Sequence, residues 1–398
     1  MDSSDIRVLI VDDSALMRNL ISKIVEQTPG LMIAGKAMNG EFALQHLPGC
    51  RPDVIVLDIE MPVMSGLDFL RERRRRGIDI PVIMLSSLTT EGAAVTMQCL
   101  ELGASDFLTK PGGAGLGDLS STASRLAELL ISYGGRYARG KGRVVPPLRS
   151  TSSFFPERER KESEKPAPWT SARERKPAIT NTFNSSFAPS RPQKNSGVVT
   201  PLREPGKIEV IAIGISTGGP NALREVFRDI DPELKQPILV VQHMPAGFTE
   251  EFANSLNNVC PLEVKEAKDG DLIKGGRVLI APGNYHIYVE RKSLSMVLRL
   301  SDEPQRNGHR PSADVLFESV AEVYQNRALG VIMTGMGNDG AAQLAEMRRQ
   351  GAHTLGQDEQ SCIVYGMPKV AFEMGGVQRQ VPLQDMAKEI SKLARQYQ

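Results

Sequence analysis

A chain of 398 residues has room for two or three domains, each with its own hydrophobic core. With 40% hydrophobic, 24% charged and 5% aromatic residues it has a globular composition, which excludes the fibrous and membrane-embedded classes. The net charge of +1 argues neither for nor against nucleic acid, and Cys50, Cys99, Cys260 and Cys362 lie far apart without a C-x-x-C pair, so neither disulfides nor zinc are expected.

The opening MDSSDIRVLIV is acidic and leads into an apolar run too short for a signal or spanning segment. A cytoplasmic protein with no membrane insertion is expected. Apolar runs at Arg7–Val11, Met32–Ala37, Val54–Leu57, Pro81–Leu85 and Asp106–Leu108 alternate with helix-period segments such as Ser14–Gln27 and Leu119–Ser132. That alternation predicts a parallel sheet with helices on both faces, over residues 1–135.

In such a sheet, ligands gather beyond the carboxyl ends of the strands. Asp12 and Asp13 follow the first strand, Asp58 the third, Ser86 the fourth and Thr109-Lys110-Pro111 the fifth. Carboxylates brought together there repel unless a cation sits among them, and hard oxygen donors with room for water and a phosphoryl group suit Mg²⁺. Asp58 is then a nucleophile forming an aspartyl phosphate, with Lys110 supplying charge to the phosphoryl oxygens and Ser86 a hydroxyl hydrogen bond. Singly, each position also reads as a helix cap. Together, DD after strand one, Asp58 within LDIEMPVMSG and TKP after strand five resemble the receiver domain of two-component response regulators, over about residues 5–132. The resemblance implies a flavodoxin-like fold, phosphotransfer from a histidine kinase to Asp58, and Mg²⁺ held through Asp13 and Asp58 with Asp12 assisting. It also implies a Ser86/Phe107 switch on the opposite face, although Phe107 reads equally as a core side chain. The run Arg73–Arg76 reads as a solvated helix end that complements the dipole.

Apolar periodicity then disappears. Between Arg136 and Gly206 stand 15 Lys and Arg against 6 Asp and Glu, with 10 of the 26 prolines and the single tryptophan, Trp169. A basic, flexible linker is expected over residues 136–206. Trp169 within it reads as a docking point or as a buried anchor.

A second α/β domain is predicted over residues 207–398, from strand-like runs at Val210–Ile213, Ile238–Val241, Val278–Ala281 and Ala328–Met333. The first runs into Gly214-Ile215-Ser216-Thr217-Gly218-Gly219-Pro220, a G-x-S-x-G turn before a helix start. It would expose the Ser216 hydroxyl beside helix amides able to stabilise an oxyanion. A phosphate-cradling turn is the other reading, but the Walker lysine and the G-x-G-x-x-G spacing are missing. Among five histidines, His243 follows a strand directly, in Gln242-His243-Met244-Pro245, and is the chosen base; Asp339, in the glycine-rich Thr334–Gly340, is placed to orient it. His286 and His309 fall in loops and read as surface or packing residues, with substrate-side contacts as the other reading.

The order Ser, His, Asp departs from that of ordinary α/β-hydrolases. Instead ISTGGP, QHMP and TGMGNDG resemble the catalytic domain of bacterial chemotaxis protein-glutamate methylesterases, from about residue 207 onward. That resemblance implies a mostly parallel sheet, Ser216 as nucleophile, His243 as base, Asp339 as orienting acid, the Met336 amide as oxyanion donor and Thr217 lining the site. It implies hydrolysis of glutamate methyl esters on chemoreceptors with release of methanol, deamidation of receptor glutamines as companion activity, and no cofactor in the esterase domain. The linker is longer than the family's usual connector, which bears on how tightly the domains dock. The residues alone leave open an esterase or amidase acting on another substrate, or a non-enzymatic binding output. A nucleic-acid partner is not expected, since the second half shows strands and glycine turns rather than a basic helix-turn-helix.

Overall fold

The computed structural model of the chain describes residues 4–110, 116–145 and 199–398. Five strands, β1 (Ile6–Val11), β2 (Leu31–Ala37), β3 (Val54–Asp58), β4 (Val82–Ser86) and β5 (Asp106–Thr109), form a parallel sheet in the order β2-β1-β3-β4-β5. Such a doubly wound order requires covering helices, and α1 (Ala15–Gln27), α2 (Gly40–Cys50), α3 (Gly66–Arg75), α4 (Thr90–Glu101) and α5 (Leu116–Gly140) supply them. β3 and β4 are buried along their whole length, hence their unbroken apolar runs. The helix starts are capped by side chains the local sequence provides, Ser14 to the Met17 amide and Asn39 to the Phe42 amide.

The C-terminal domain is built around a seven-stranded parallel sheet in the order β14-β13-β12-β6-β7-β9-β8. Its centre is β6 (Val210–Ile215), flanked by β12 (Ala328–Ile332) and β7 (Ile238–Gln242); outward lie β9 (Arg277–Ile280) and β8 (Glu263–Glu266) on one side, β13 (His353–Gln357) and β14 (Arg379–Val381) on the other. β10 (His286–Arg291) and β11 (Met296–Ser301) form a separate antiparallel hairpin. The helices that position the site are α6 (Gly219–Arg228), α7 (Phe248–Asn257), α8 (Ala313–Tyr324) and α9 (Ala341–Arg349), with α10 (Met367–Glu373) and α11 (Leu383–Gln396) closing the chain.

Two expectations need correction. Helix α5 runs through residue 135 to Gly140 and Val145 is buried, so the ordered chain continues past the start assigned to the linker. Gly134 allows this, because a Cβ there would stand 3.0 Å from Val54 Cγ1 and lift the helix off the sheet. Within Arg73–Arg76, only part is a solvated helix end. Arg73 is 9% exposed and donates to the carbonyls of Ile80 and Gly103, whereas Arg75 and Arg76 pair with Glu72. Most of the stretch assigned to the linker, residues 146–198, lies outside the described residues, and Trp169 with it. Among the described residues no helix is long and apolar enough to cross a membrane.

Candidate active site

Parallel pairing of β6 with both β7 and β12 brings three strand ends to one edge. Ile215 is in register with Gln242, and Gly214 with Ile332, so the residues that follow each strand emerge together. Ser216 stands on the turn into α6, its amide donating to Thr334 O at 3.0 Å. Gly218 (φ 76°) caps α6 and Pro220 sits in its first turn. Gly335 lets the β12 loop press on this turn, since a Cβ there would lie 2.8 Å from Ser216 Cβ. Gln242 ties two neighbours together: its Nε2 donates to the carbonyls of Ser216 (3.0 Å) and His243 (3.2 Å).

A hydrogen-bonded chain runs from Ser216 through His243 to Asp339. His243 Nδ1 lies 3.1 Å from Ser216 Oγ, and His243 Nε2 lies 2.8 Å from Asp339 Oδ2. Ser216 and Asp339 are buried, at 3% and 1% exposure. A buried carboxylate stays ionised only if donors replace its water. Asp339 has them: Oδ1 accepts from Ser312 Oγ (2.6 Å), Asn307 Nδ2 (3.0 Å) and the Asp314 amide (3.3 Å), and Oδ2 from the Ala313 amide (2.6 Å). It thereby caps α8 from another segment of the chain, where the helix dipole also favours negative charge. Burial would raise its pKa, but the bonds from His243, Ser312 and Asn307 outweigh that and hold the carboxyl well below the usual range. The ring of His309 stacks on His243, centroids 3.8 Å apart and planes 13° from parallel. Thr217 is buried with no hydrogen-bond partner for its Oγ1 among the described residues, and Met336, half-buried, follows Gly335.

At the carboxyl edge of the receiver sheet, Asp12, Asp13 and Asp58 each offer an oxygen within 4.8 Å of the others. Asp12 and Asp58 are buried, Asp13 is exposed, and Lys110 Nζ lies 2.7 Å from Asp58 Oδ1 and 3.5 Å from Asp12 Oδ2. Burial pushes the Asp58 carboxyl up to about 6, against the pull of Lys110 and helped by the charge of Asp12. Among the described residues Asp12 Oδ2 and Asp58 Oδ2 are buried without a hydrogen bond, which fits a cluster of hard oxygen donors shaped for a cation. The Ser86 hydroxyl is engaged elsewhere, accepting from Thr96 Oγ1 at 2.7 Å and donating to Gly92 O at 3.3 Å.

The two sites are joined by one strand. The first residue of β5, Asp106, is buried, and its Oδ2 accepts from the Gly218 amide of the nucleophile turn (3.0 Å) and from the Tyr133 hydroxyl (3.2 Å). Burial raises its pKa against those donors. The next residue, Phe107, stacks on Phe248 of α7, with centroids 5.0 Å apart and planes at 12°. Around them Asn221 donates to Ala104 O and Ser105 O, Ser255 donates to Glu101 at 2.7 Å, and Arg136 of α5 donates to Cys362 O at 2.7 Å. The α4-β5-α5 face of the receiver therefore lies directly over the turn that carries Ser216.

The chain matches the family described as CheB methylesterase over residues 211–390, and that described as response regulator receiver domain over residues 8–116. A protein-glutamate methylesterase/protein-glutamine glutaminase of Treponema denticola is 55% identical over 393 residues, covering 99% of each chain. One of the same name from Treponema pallidum is 52% identical over 399 residues, covering 98% of each. The chain belongs to the CheB methylesterase family. Among solved structures, the catalytic domain of Thermotoga maritima CheB methylesterase is 36% identical, covers 47% of this chain and 98% of its own, and aligns with a TM-score of 0.46.

Of the residues singled out from the sequence, Ser216, His243 and Asp339 come together in one network, with Thr217 next to Ser216 and Met336 in the loop that leads to Asp339. Asp12, Asp13, Asp58 and Lys110 form another. Ser86 joins neither, being bonded to Thr96 and Gly92 within the receiver, and Phe107 packs against the catalytic domain rather than in the receiver core alone. His286 is a packing residue: it is buried, accepting from the Ser312 amide at 3.2 Å and lying 3.2 Å from Pro304 O. His309 does not fit the surface reading, because it stacks on His243. Asn307, Ser312, Gln242 and Asp106 were missed. Only Gln242 had a sequence signal, its place beside His243 at a strand end.

Proposed function

We propose that this chain is a serine hydrolase that releases methanol from glutamate methyl esters on chemoreceptors, and that its receiver governs access to the nucleophile. The hydrogen-bonded chain from Ser216 through His243 to Asp339, lying under the receiver, carries the reading. Ser216 Oγ attacks the ester carbonyl and passes its proton to His243 Nδ1. Asp339 stays ionised and stabilises the imidazolium through its bond to Nε2. The Met336 amide donates to the oxyanion and Thr217 lines the site. The imidazolium then gives its proton to the departing methoxy oxygen, methanol leaves, and the glutamyl group remains on Ser216. Water, deprotonated by His243, attacks this ester, Ser216 departs with the proton, and a free glutamate is left. With glutamine in the same position the leaving group is ammonia, which gives deamidation.

On the receiver, the Asp58 carboxylate attacks the phosphorus of a phosphohistidine on a partner histidine kinase, the P–N bond breaks, the kinase imidazole departs, and an aspartyl phosphate is left on Asp58. Asp12, Asp13 and Asp58 would hold Mg²⁺, which when bound offsets the negative charge gathered there. Lys110, now 2.7 Å from Asp58, turns to the phosphoryl oxygens, and Ser86 leaves Gly92 to meet them. Because Lys110 ends the strand whose other end holds the Gly218 amide, that rearrangement loosens the receiver from the active-site turn. The setting is the cytoplasm, beside the receptor tails, and neither nucleic acid nor membrane insertion is involved.

The test is methanol release from methylated receptor cytoplasmic fragments, with and without a small phosphodonor and Mg²⁺. Release should depend on Ser216, vanish in Ser216→Ala and rise with the phosphodonor. Undiminished release by Ser216→Ala would reject the nucleophile. Hydrolysis of a simple ester without any release from receptors would move the substrate elsewhere.

A further inference from the structure

Between the β10-β11 hairpin and α8 the chain makes a tight turn whose role is not explained by the hydrolytic reading. Arg306 and His309 exchange backbone hydrogen bonds (3.1 and 3.0 Å) across Asn307 and Gly308, both at positive φ (53° and 78°). The turn is anchored on both sides. Arg306 pairs with Glu318 of α8, and Arg310 Nη1 donates to the carbonyls of Asp302 (2.5 Å) and Glu303 (3.0 Å). Its two tip side chains reach the two halves of the catalytic pair. Asn307 Nδ2 donates to Asp339 Oδ1 at 3.0 Å and to Asp314 Oδ2 at 2.6 Å, so one amide group holds two carboxylates apart. His309 lies flat on His243.

We propose that the Arg306–Arg310 turn is a positioning clamp for the His243–Asp339 pair, in which the ring of His309 holds His243 face to face and the carboxamide of Asn307 holds Asp339. The proposal rests on the assignment of Ser216 and His243 made above. Rotation of the His243 ring would break its bonds to Ser216 and Asp339 together, and a ring packed 3.8 Å away blocks that rotation. As His243 takes the serine proton it becomes a cation, which an aromatic face supports and a second cation would oppose. His309 suits the first role. Burial and the neighbouring His243 lower its pKa to about 3, and among the described residues its side chain has no hydrogen bond that would require a nitrogen at either ring position. The charged groups facing the pair are Asp339 and Arg125 on His309, and Arg306 beside Asp339 and Asp314.

The experiment measures the rate at which a fluorophosphonate labels the full, phosphodonor-treated chain between pH 5 and 9, with the labelled residue read by peptide mass spectrometry. Thermal unfolding and Asp58 phosphorylation serve as controls of fold. His309→Phe keeps the flat packing and should label within about three-fold of wild type, with the same pH midpoint. His309→Lys puts a cation against His243 and should slow labelling by about ten-fold or more and move the midpoint down by about one pH unit. Asn307→Ala should slow labelling about ten-fold while leaving the midpoint in place. Labelling at Ser216 in which His309→Phe is as slow as His309→Lys, or in which His309→Lys keeps the wild-type rate and midpoint, overturns the clamp alone. Labelling at a residue other than Ser216 overturns the active-site assignment, and the clamp with it.

Discussion

Asp58 and Asp339 are both buried carboxylates at the carboxyl edge of a parallel sheet, yet their surroundings push them in opposite directions. Asp339 is surrounded by donors, including two amides at the start of α8, and is held as an anion. Asp58 has Lys110 on one oxygen and, among the described residues, no hydrogen bond on the other, shares its site with Asp12, and is raised to about 6. The difference separates a carboxylate that must stay unchanged through every turnover from one kept under-satisfied so that a ligand can complete it. Depth of burial does not distinguish them; the count of donors does.

The sharpest way to break this contrast is Asp339→Asn, which keeps the shape but removes the charge that orients His243. We expect kcat to fall about 10⁴-fold, as measured by methanol release, and thermal stability to fall with it, because the amide nitrogen cannot accept from the donors around one of the two oxygens. Asp58→Asn should instead leave unstimulated activity where it was and abolish the response to phosphodonor, so a surviving response would place the acceptor elsewhere. A third test concerns Asp106, which satisfies a catalytic-domain amide from the receiver side. In Asp106→Ala the Gly218 amide loses its acceptor while the Tyr133 hydroxyl keeps Ser105 O at 2.8 Å, at a cost of about 1–3 kcal/mol to the docked arrangement, and unstimulated activity should rise several-fold. No rise would mean that the docked face is held by other contacts. The smallest effect is on pH. Burial raises the Asp106 pKa in the docked arrangement although the Gly218 amide lowers it, so if undocking returns the carboxyl to water the docked form binds the proton more tightly and loses stability as pH rises from the ordinary carboxylate range through the raised value. Unstimulated activity of wild type relative to Asp106→Asn, which cannot titrate, should therefore increase across that window. A flat ratio would remove Asp106 titration from the balance.

The architecture was legible because both sheets are parallel. Strands buried on both faces leave unbroken apolar runs, and the polar residues that end them must share an edge, which is how Ser216, His243 and Asp339 could be named from positions 27 and 96 residues apart. What was not legible comes from segments without that grammar. Asn307, His309 and Ser312 lie on a connection after an antiparallel hairpin, where no periodicity says what they face. Asp106 opens a strand and nothing local marks it, because its decisive partner, the Gly218 amide, is 112 residues away in the other domain. The end of α5 was misplaced for a local reason. Two adjacent glycines and a rising basic content look like the start of a linker, whereas Gly134 is where the helix meets Val54 of the sheet.

Strand β5 and the lysine after it join the two chemistries across about 13 Å of extended backbone. Lys110 touches Asp58 at one end, and Asp106 touches the Gly218 amide at the other. If a phosphoryl group on Asp58 frees the serine turn, thermodynamic reciprocity requires that a substrate holding the turn open favour the phosphorylated receiver by the same free energy. A heavily methylated receptor would then draw phosphoryl groups towards this chain, and a demethylated one would let them return to the kinase's other acceptors. The extent of receptor methylation would be an input to the receiver as well as a product of its control.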